Sequence, residues 1–145
     1  MNDLFQRFLT DRLRRALRGR LAVEAEPTRW LDRGQAVAMY LDLVFRSGKR
    51  VVYVADAKYE LTGSGLARNP NYYQLLAYTT AMDLPEGALV YYQSDGPVPS
   101  HAIEVRHSGR RLQTYALDLS GPLAAATRSV DELAAWIAGR AEGLA

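Results

Sequence analysis

Apolar positions in the first twenty residues recur at helical spacing. Phe5, Phe8, Leu9, Leu13, Ala16 and Leu17 fall on one side, which predicts an amphipathic helix over residues 3–19 that stops near Gly19. The pattern then changes. Leu21 to Glu26 alternates as a short strand and is broken at Pro27, while 36–46 and 50–59 are β-rich runs joined at Ser47-Gly48-Lys49, a hairpin signal. Both faces of these two runs are largely apolar, so they are expected inside a sheet covered on both sides. Residues 62–70 read as a loop, 71–82 as a helix, 87–93 as a buried strand and 95–99 as a turn. A second hairpin is expected from 101–106 and 111–119 around Ser108-Gly109. An Ala-rich helix over 122–141, opened by Pro122 and with a kink expected near Ser129-Val130-Asp131, closes the chain. No internal repeat, low-complexity tract or linker interrupts this order, and a single domain over 1–145 with a mixed, strongly twisted α/β sheet is expected.

With 145 residues, the chain is long enough to bury a core without metal or disulfide staples. The absence of cysteine excludes disulfides and thiolate zinc sites, and fits a reducing cytoplasm. Met1 to Arg20 lacks the apolar segment of a signal peptide, and no run approaches membrane-spanning length, so a cytoplasmic protein without membrane contact is expected. The net charge is only +2, but Arg7, Arg12, Arg14, Arg15, Arg18 and Arg20 crowd the first twenty residues. Arg7, Arg14 and Arg18 share the face opposite Phe5, Leu9 and Ala16. Such a face can contact phosphates, or can be a solvated surface partly paired with Asp3 and Asp11.

The candidate chemistry lies in the two β-rich runs. Asp42 sits among aliphatics in Tyr40-Leu41-Asp42-Leu43-Val44-Phe45, and Val52 to Tyr59 carries Asp56-Ala57-Lys58. Carboxylates are costly among Val, Leu and Tyr unless something pairs with them. A hard divalent cation would do so, and Mg²⁺ suits phosphate chemistry. Lys58 shares a strand face with Asp56 by the two-residue period. Asp42 reaches that face only under one condition. A two-residue turn closed by the 46/49 pair sets it opposite Tyr53 and leaves Asp56 on the other face, whereas a three-residue loop sets it opposite Val54 and diagonal to Asp56. A β-bulge restores the same parity. The bland alternatives are an Asp42 paired with an arginine and an exposed Asp56–Lys58 pair at a strand end.

The ordered set Asp42, Asp56-Ala57-Lys58-Tyr59 and Tyr73-Gln74-Leu75-Leu76-Ala77-Tyr78, followed by the strand Gly87 to Tyr92, resembles the PD-(D/E)XK nuclease superfamily. The nearest likeness is to the catalytic domain of McrC, the nuclease subunit of McrBC-type 5-methylcytosine restriction systems. It runs from about Phe5 to about Leu119. The resemblance implies a restriction-endonuclease-like α-β-β-β-α-β core with a C-terminal hairpin and helix, acting as a metal-dependent endodeoxyribonuclease in phage defence. Asp42, Asp56 and the backbone carbonyl of Ala57 would hold Mg²⁺, with Mn²⁺ as its substitute. Lys58 would orient or activate the attacking water, and Gln74 would bond a metal water or a phosphate. Arg7, Arg14, Arg18, Tyr59 and Tyr73 would contact DNA. The implied partners are DNA and an AAA+ GTPase motor of McrB type, and a homodimer is compatible with the reading. No motor-docking region is evident, so it is expected to be absent or on another polypeptide. Relatives often carry a glutamate in the first helix, where this chain has Gln6 in Phe5-Gln6-Arg7-Phe8. That departure keeps a second expectation alongside the first: a degenerate nuclease-fold domain that binds nucleic acid or a protein partner without cleaving. His101 and His107 are read as surface residues.

Overall fold

The computed structural model describes residues 3–58, 67–93 and 100–143. The first apolar stripe forms helix α1 (Asp3–Ala16), which ends through a turn at Gly19 in a positive-φ conformation that glycine adopts without strain. Strand β1 (Ala22–Ala25) comes after it. The expected strand over 36–46 is two elements. An unanticipated short strand, β2 (Thr28–Trp30), pairs with β3 (Ala38–Tyr40) in a separate two-stranded ribbon. The chain then breaks at Leu41-Asp42 before β4 (Leu43–Ser47) begins. Met39 and Leu41 are buried in the cluster formed with helix α2 (Asn69–Ala81), which explains why an apolar run spans a break in the ladder.

The turn Gly48-Lys49 leads from β4 into β5 (Arg50–Lys58), and α2 opens with Pro70 in its first turn, where a missing N–H costs nothing. Strand β6 (Glu86–Gln93) comes next, then the hairpin of β7 (His101–Glu104) and β8 (Arg111–Asp118), and finally α3 (Leu123–Gly143). The α3 helix runs as one element through Ser129-Val130-Asp131. The expected turn at 95–99 lies outside the described residues.

The main sheet has the order β1-β4-β5-β6-β8-β7. It is antiparallel from β1 to β5, parallel across β5, β6 and β8, and antiparallel again at β7. Its central strands are apolar on both faces, as their sequences require. One face packs Leu43, Phe45, Tyr53, Ala55 and Ala57 against Leu9, Leu13 and Leu17 of α1 and Val130, Leu133 and Ile137 of α3. The other packs Val44, Val54 and Leu89 against Leu75 and Tyr78 of α2. Arg12 locks α1 to α3 through two 2.8 Å hydrogen bonds to Asp131.

Helix α2 lies unusually close to the sheet at Gly87. A Cβ there would stand 2.8 Å from Thr79 Cγ2 and 3.0 Å from both Leu75 Cδ1 and Val54 Cγ1. The glycine therefore sets the depth at which α2 rides over β5 and β6.

Candidate metal centre

Strands β4 and β5 bring two carboxylates together where the antiparallel part of the sheet ends. The two-residue turn pairs Ser47 with Arg50, and a regular ladder from there would set Asp42 opposite Ala55, on the wrong face. The register slips instead. Arg46 pairs with Val51 but Phe45 pairs with Tyr53, leaving Val52 as the extra residue of a bulge. Val44 then faces Val54 and Leu43 faces Ala55, and the same register carried one step further sets Asp42 opposite Asp56. The parity condition is met by the bulge. The residue opposite Val54 is Val44, not Asp42, so the two acids are direct rather than diagonal neighbours.

Asp56 alternates with Val54 and therefore shares the α2 face, where it is 3% exposed. Asp42 lies in the bend before β4 and accepts a 2.8 Å hydrogen bond at Oδ2 from the Ala57 amide, across the end of the ladder. Lys58 Nζ lies 2.7 Å from Asp56 Oδ2 as an ion pair and donates to Gln74 Oε1 at 2.9 Å. The Asp42 carboxyl is pushed up to about 7, first by burial and then by the hydrogen bond and charge of Asp56. The Ala57 amide and Lys58 pull it back only in part. Two acids confined together, one of them held near neutral, are what a hard cation would relieve. Asp56 Oδ2 adds to this: it is buried, and its contact with Lys58 lacks hydrogen-bond angles. Among the described residues no third Asp, Glu or His joins the pair. Two carboxylates completed by backbone and substrate oxygens are a common way to hold Mg²⁺, so the donor set fits that ion.

Residues 1–92 match the model of a family described as the McrBC 5-methylcytosine restriction system component. The chain belongs to this McrBC family. Its fold is also that of a chain in the refined half-complex from a tetradecameric assembly of Thermococcus gammatolerans McrB AAA+ hexamers with bound McrC, with a TM-score of 0.72 and 20% identity. That match covers 94% of the present chain and 33% of the other, so this chain spans about a third of the length of its solved relative. No curated protein matches the sequence.

The McrBC family match takes in Asp42, Asp56, Ala57, Lys58 and Gln74, all of which the fold brings to one place. Tyr78 stands close by. It donates to the Tyr40 carbonyl at 2.9 Å, and burial together with the charges of Asp56 and Asp42 holds its hydroxyl in the protonated form. Tyr73, next to Gln74, is exposed, and Tyr59 lies outside the described residues. Arg7 and Arg14 border a cleft between α1 and β1, whereas Arg18 is exposed in the turn that follows the helix. Gln6 is buried on the α1 stripe and lines that same cleft, whose walls do not include Asp42 or Asp56. His101 and His107 are exposed, as expected.

Sequence reasoning missed a buried charge cluster beneath the other face. Glu86, 1% exposed, accepts from Tyr53 Oη at 2.7 Å, from Gln113 Nε2 at 3.3 Å and from Arg140 Nε at 2.8 Å, with a second, shorter contact to Arg140 Nη2. Burial drives its carboxyl upward, but the Arg140 and Tyr53 hydrogen bonds outweigh it and the net shift is down. Glu86 and Arg140 lie 54 positions apart, and no local pattern announces such a pair.

Proposed function

We propose that this McrBC-family chain is the nuclease portion of an McrC-like restriction component, a PD-(D/E)XK domain that hydrolyses DNA phosphodiester bonds with Mg²⁺. The observation that carries the reading is the convergence of Asp42, Asp56, Lys58 and Gln74 on one face of β4–β5 beneath α2. Asp42, Asp56 and the Ala57 carbonyl would hold the cation. When bound, Mg²⁺ supplies charge neutralisation at a non-bridging phosphate oxygen and a more acidic water. Lys58 is held between Asp56 and Gln74, so its ammonium is a fixed positive charge beside the acids, suited to orienting a nucleophilic water and offsetting charge on the phosphorane-like transition state. Gln74, bonded to Lys58 through Oε1, keeps its amide N–H groups for a phosphate or a water. The raised Asp42 carboxyl belongs to the metal-free protein, and a bound cation would displace its proton.

The solved relative sits in an assembly with McrB AAA+ hexamers, and that likeness supports an AAA+ GTPase motor of McrB type as partner here. A cytoplasmic restriction system is the matching setting; among the described residues no helix is long and apolar enough to cross a membrane. The absence of a third carboxylate beside the pair among the described residues favours a second reading, a degenerate domain that binds without cutting. Incubating supercoiled plasmid with the protein in Mg²⁺, Mn²⁺ or EDTA separates the two. Nicking in both metals and none in EDTA supports the nuclease, while DNA binding without nicking supports the degenerate domain.

A further inference from the structure

The cleft between α1 and the end of β1 has a composition that the metal centre does not use. It encloses about 320 Å³, near the lower end of ligand pockets, and is lined by Gln6, Arg7, Thr10, Asp11, Arg14, Ala25 and Glu26. Gln6 is 5% exposed and Thr10 4%. Neither amide atom of Gln6, nor the hydroxyl of Thr10, has a hydrogen-bond partner among the described residues. Three polar atoms buried side by side on one helix, one turn apart and without protein partners, are a cost that a folded domain rarely carries without a use. Both residues lie on the stripe that also carries Leu9 and Leu13, where an aliphatic side chain would pack.

The chemistry of the lining narrows what would satisfy them. A primary amide and a hydroxyl offer donors and acceptors together, which matches the edge of a nucleobase; a Gln amide can bond an adenine edge at two atoms. Arg7 and Arg14 supply cations at the rim, and Arg14 donates its Nε to the Val23 carbonyl at 3.2 Å. Asp11 and Glu26 would repel a bare anion but can accept from a base amino group. A nucleotide, anionic at one end and amide-like at the other, fits the whole set.

The cleft is also tied to the metal centre through the backbone. Glu26 in its wall donates its N–H to the Asp42 carbonyl at 2.8 Å. The Gln6–Thr10 stripe packs on the sheet face of Ala55 and Ala57, whereas Asp56 and Lys58 face α2. The Glu26 backbone contact makes the cleft wall a neighbour of the bend that carries the first acid.

We infer that the α1–β1 cleft is a nucleotide subsite, in which Gln6 and Thr10 hydrogen-bond the edge of one unstacked base and Arg7 and Arg14 hold its phosphate. The inference rests on the DNA-binding half of the reading above, not on cleavage. It is tested by fluorescence anisotropy of labelled single-stranded and duplex oligonucleotides in EDTA, together with melting curves, for the wild type, Gln6→Met and Thr10→Val. A merely structural role predicts no change in DNA affinity. The subsite predicts variants that melt at or above the wild type, because buried unpaired polar atoms are gone, yet bind oligonucleotides roughly tenfold more weakly. Wild-type affinity in both variants overturns it, as does a wild-type protein that binds no oligonucleotide. If a variant melts well below the wild type, the Arg7→Ala, Arg14→Ala double variant decides, and unchanged affinity there also overturns the subsite. Mononucleotides distinguish the source: dAMP or dCMP binding more tightly than the oligonucleotide contradicts a strand-borne nucleotide, and weaker binding supports it. Cleavage in Mg²⁺ is scored separately. A protein that binds through the cleft but never cuts sinks the nuclease reading alone, and one that cuts while both cleft variants bind normally sinks this inference alone.

Discussion

Asp42 and Asp56 oppose one another because Val52 is one residue too many for the β4–β5 ladder. The bulge between Phe45 and Arg46 converts an odd register into an even one and turns both carboxylates to the α2 face. Their proximity creates a local conflict of charge. The Ala57 amide and the Lys58 ammonium relieve it only partly, and the Asp42 carboxyl stays protonated up to about pH 7.

That conflict sets a pH dependence for the metal-free protein. The Asp42 carboxyl is raised in the folded state from an ordinary value of 3.8 to about 7, so the fold binds a proton that the unfolded chain releases. Stability from this group is fully present below 3.8 and is lost as pH rises to about 7. Melting curves in EDTA should fall across that window. Asp56→Asn should flatten the fall and raise the melting temperature at neutral pH, because it removes the charge that helps to hold Asp42 up. A steeper fall in the variant would contradict this account of the pair.

Lys58 and Gln74 should separate positioning from metal binding. Lys58→Ala should lower plasmid cleavage by roughly a hundredfold or more, the scale of losing one transition-state charge contact, while Mn²⁺ affinity persists. Gln74→Leu frees the lysine from its 2.9 Å anchor and should cost roughly tenfold. Single-turnover cleavage rates check both. Equal rates in all three proteins would remove these residues from the site.

Gly87 should be sensitive for steric reasons alone. A methyl group there meets Thr79, Leu75 and Val54 at 3.0 Å or less, so Gly87→Ala should lift α2 and cost about 1–3 kcal/mol, the usual range for overpacking. Because Gln74 rides on α2, cleavage per folded molecule should fall too. Urea unfolding paired with the cleavage rate reads both effects. Unchanged stability would mean that α2 yields without cost.

The Glu86–Arg140 pair should govern stability rather than chemistry. Arg140→Met leaves a buried carboxylate with only Tyr53 and Gln113 and should destabilise the domain by roughly 3 kcal/mol. The pH sign is opposite to that of Asp42. The Glu86 carboxyl is held down in the fold, so its contribution is present above the ordinary glutamate value of 4.5 and is lost as pH falls through its lowered value. Denaturant titrations at pH 7 and in acid should show the wild-type advantage over the variant shrinking in acid.

Much of this site was legible in the sequence, because strand parity and the order Asp42, Asp56, Lys58, Gln74 are local properties that a pattern can carry. The α1 stripe, the two-faced burial of β5 and the C-terminal hairpin were legible for the same reason. The break at Leu41-Asp42 was not. Met39 and Leu41 are buried, so hydrophobicity continues through the place where the ladder stops and Ala38–Tyr40 turns to pair with Thr28–Trp30. The bulge appeared only as one of two ways to satisfy parity, since register depends on tertiary pairing. The sequence marks Gln6 only as a departure from the glutamate that relatives often carry in the first helix. Its burial in a separate cleft depends on how α1 lies across the sheet, which no single helix encodes.

The central claim is that Asp42 and Asp56 together hold a divalent cation, and titrating Mn²⁺ into the protein by calorimetry at about pH 6.5, below the Asp42 value, tests it most directly. The expected result is saturable binding by the wild type, accompanied by proton release as Asp42 gives up its proton, and loss of that binding in Asp42→Asn and in Asp56→Asn, with both variants folded by circular dichroism. Saturable Mn²⁺ binding that survives unchanged in either variant, or a folded wild-type protein that takes up no Mn²⁺, would contradict it.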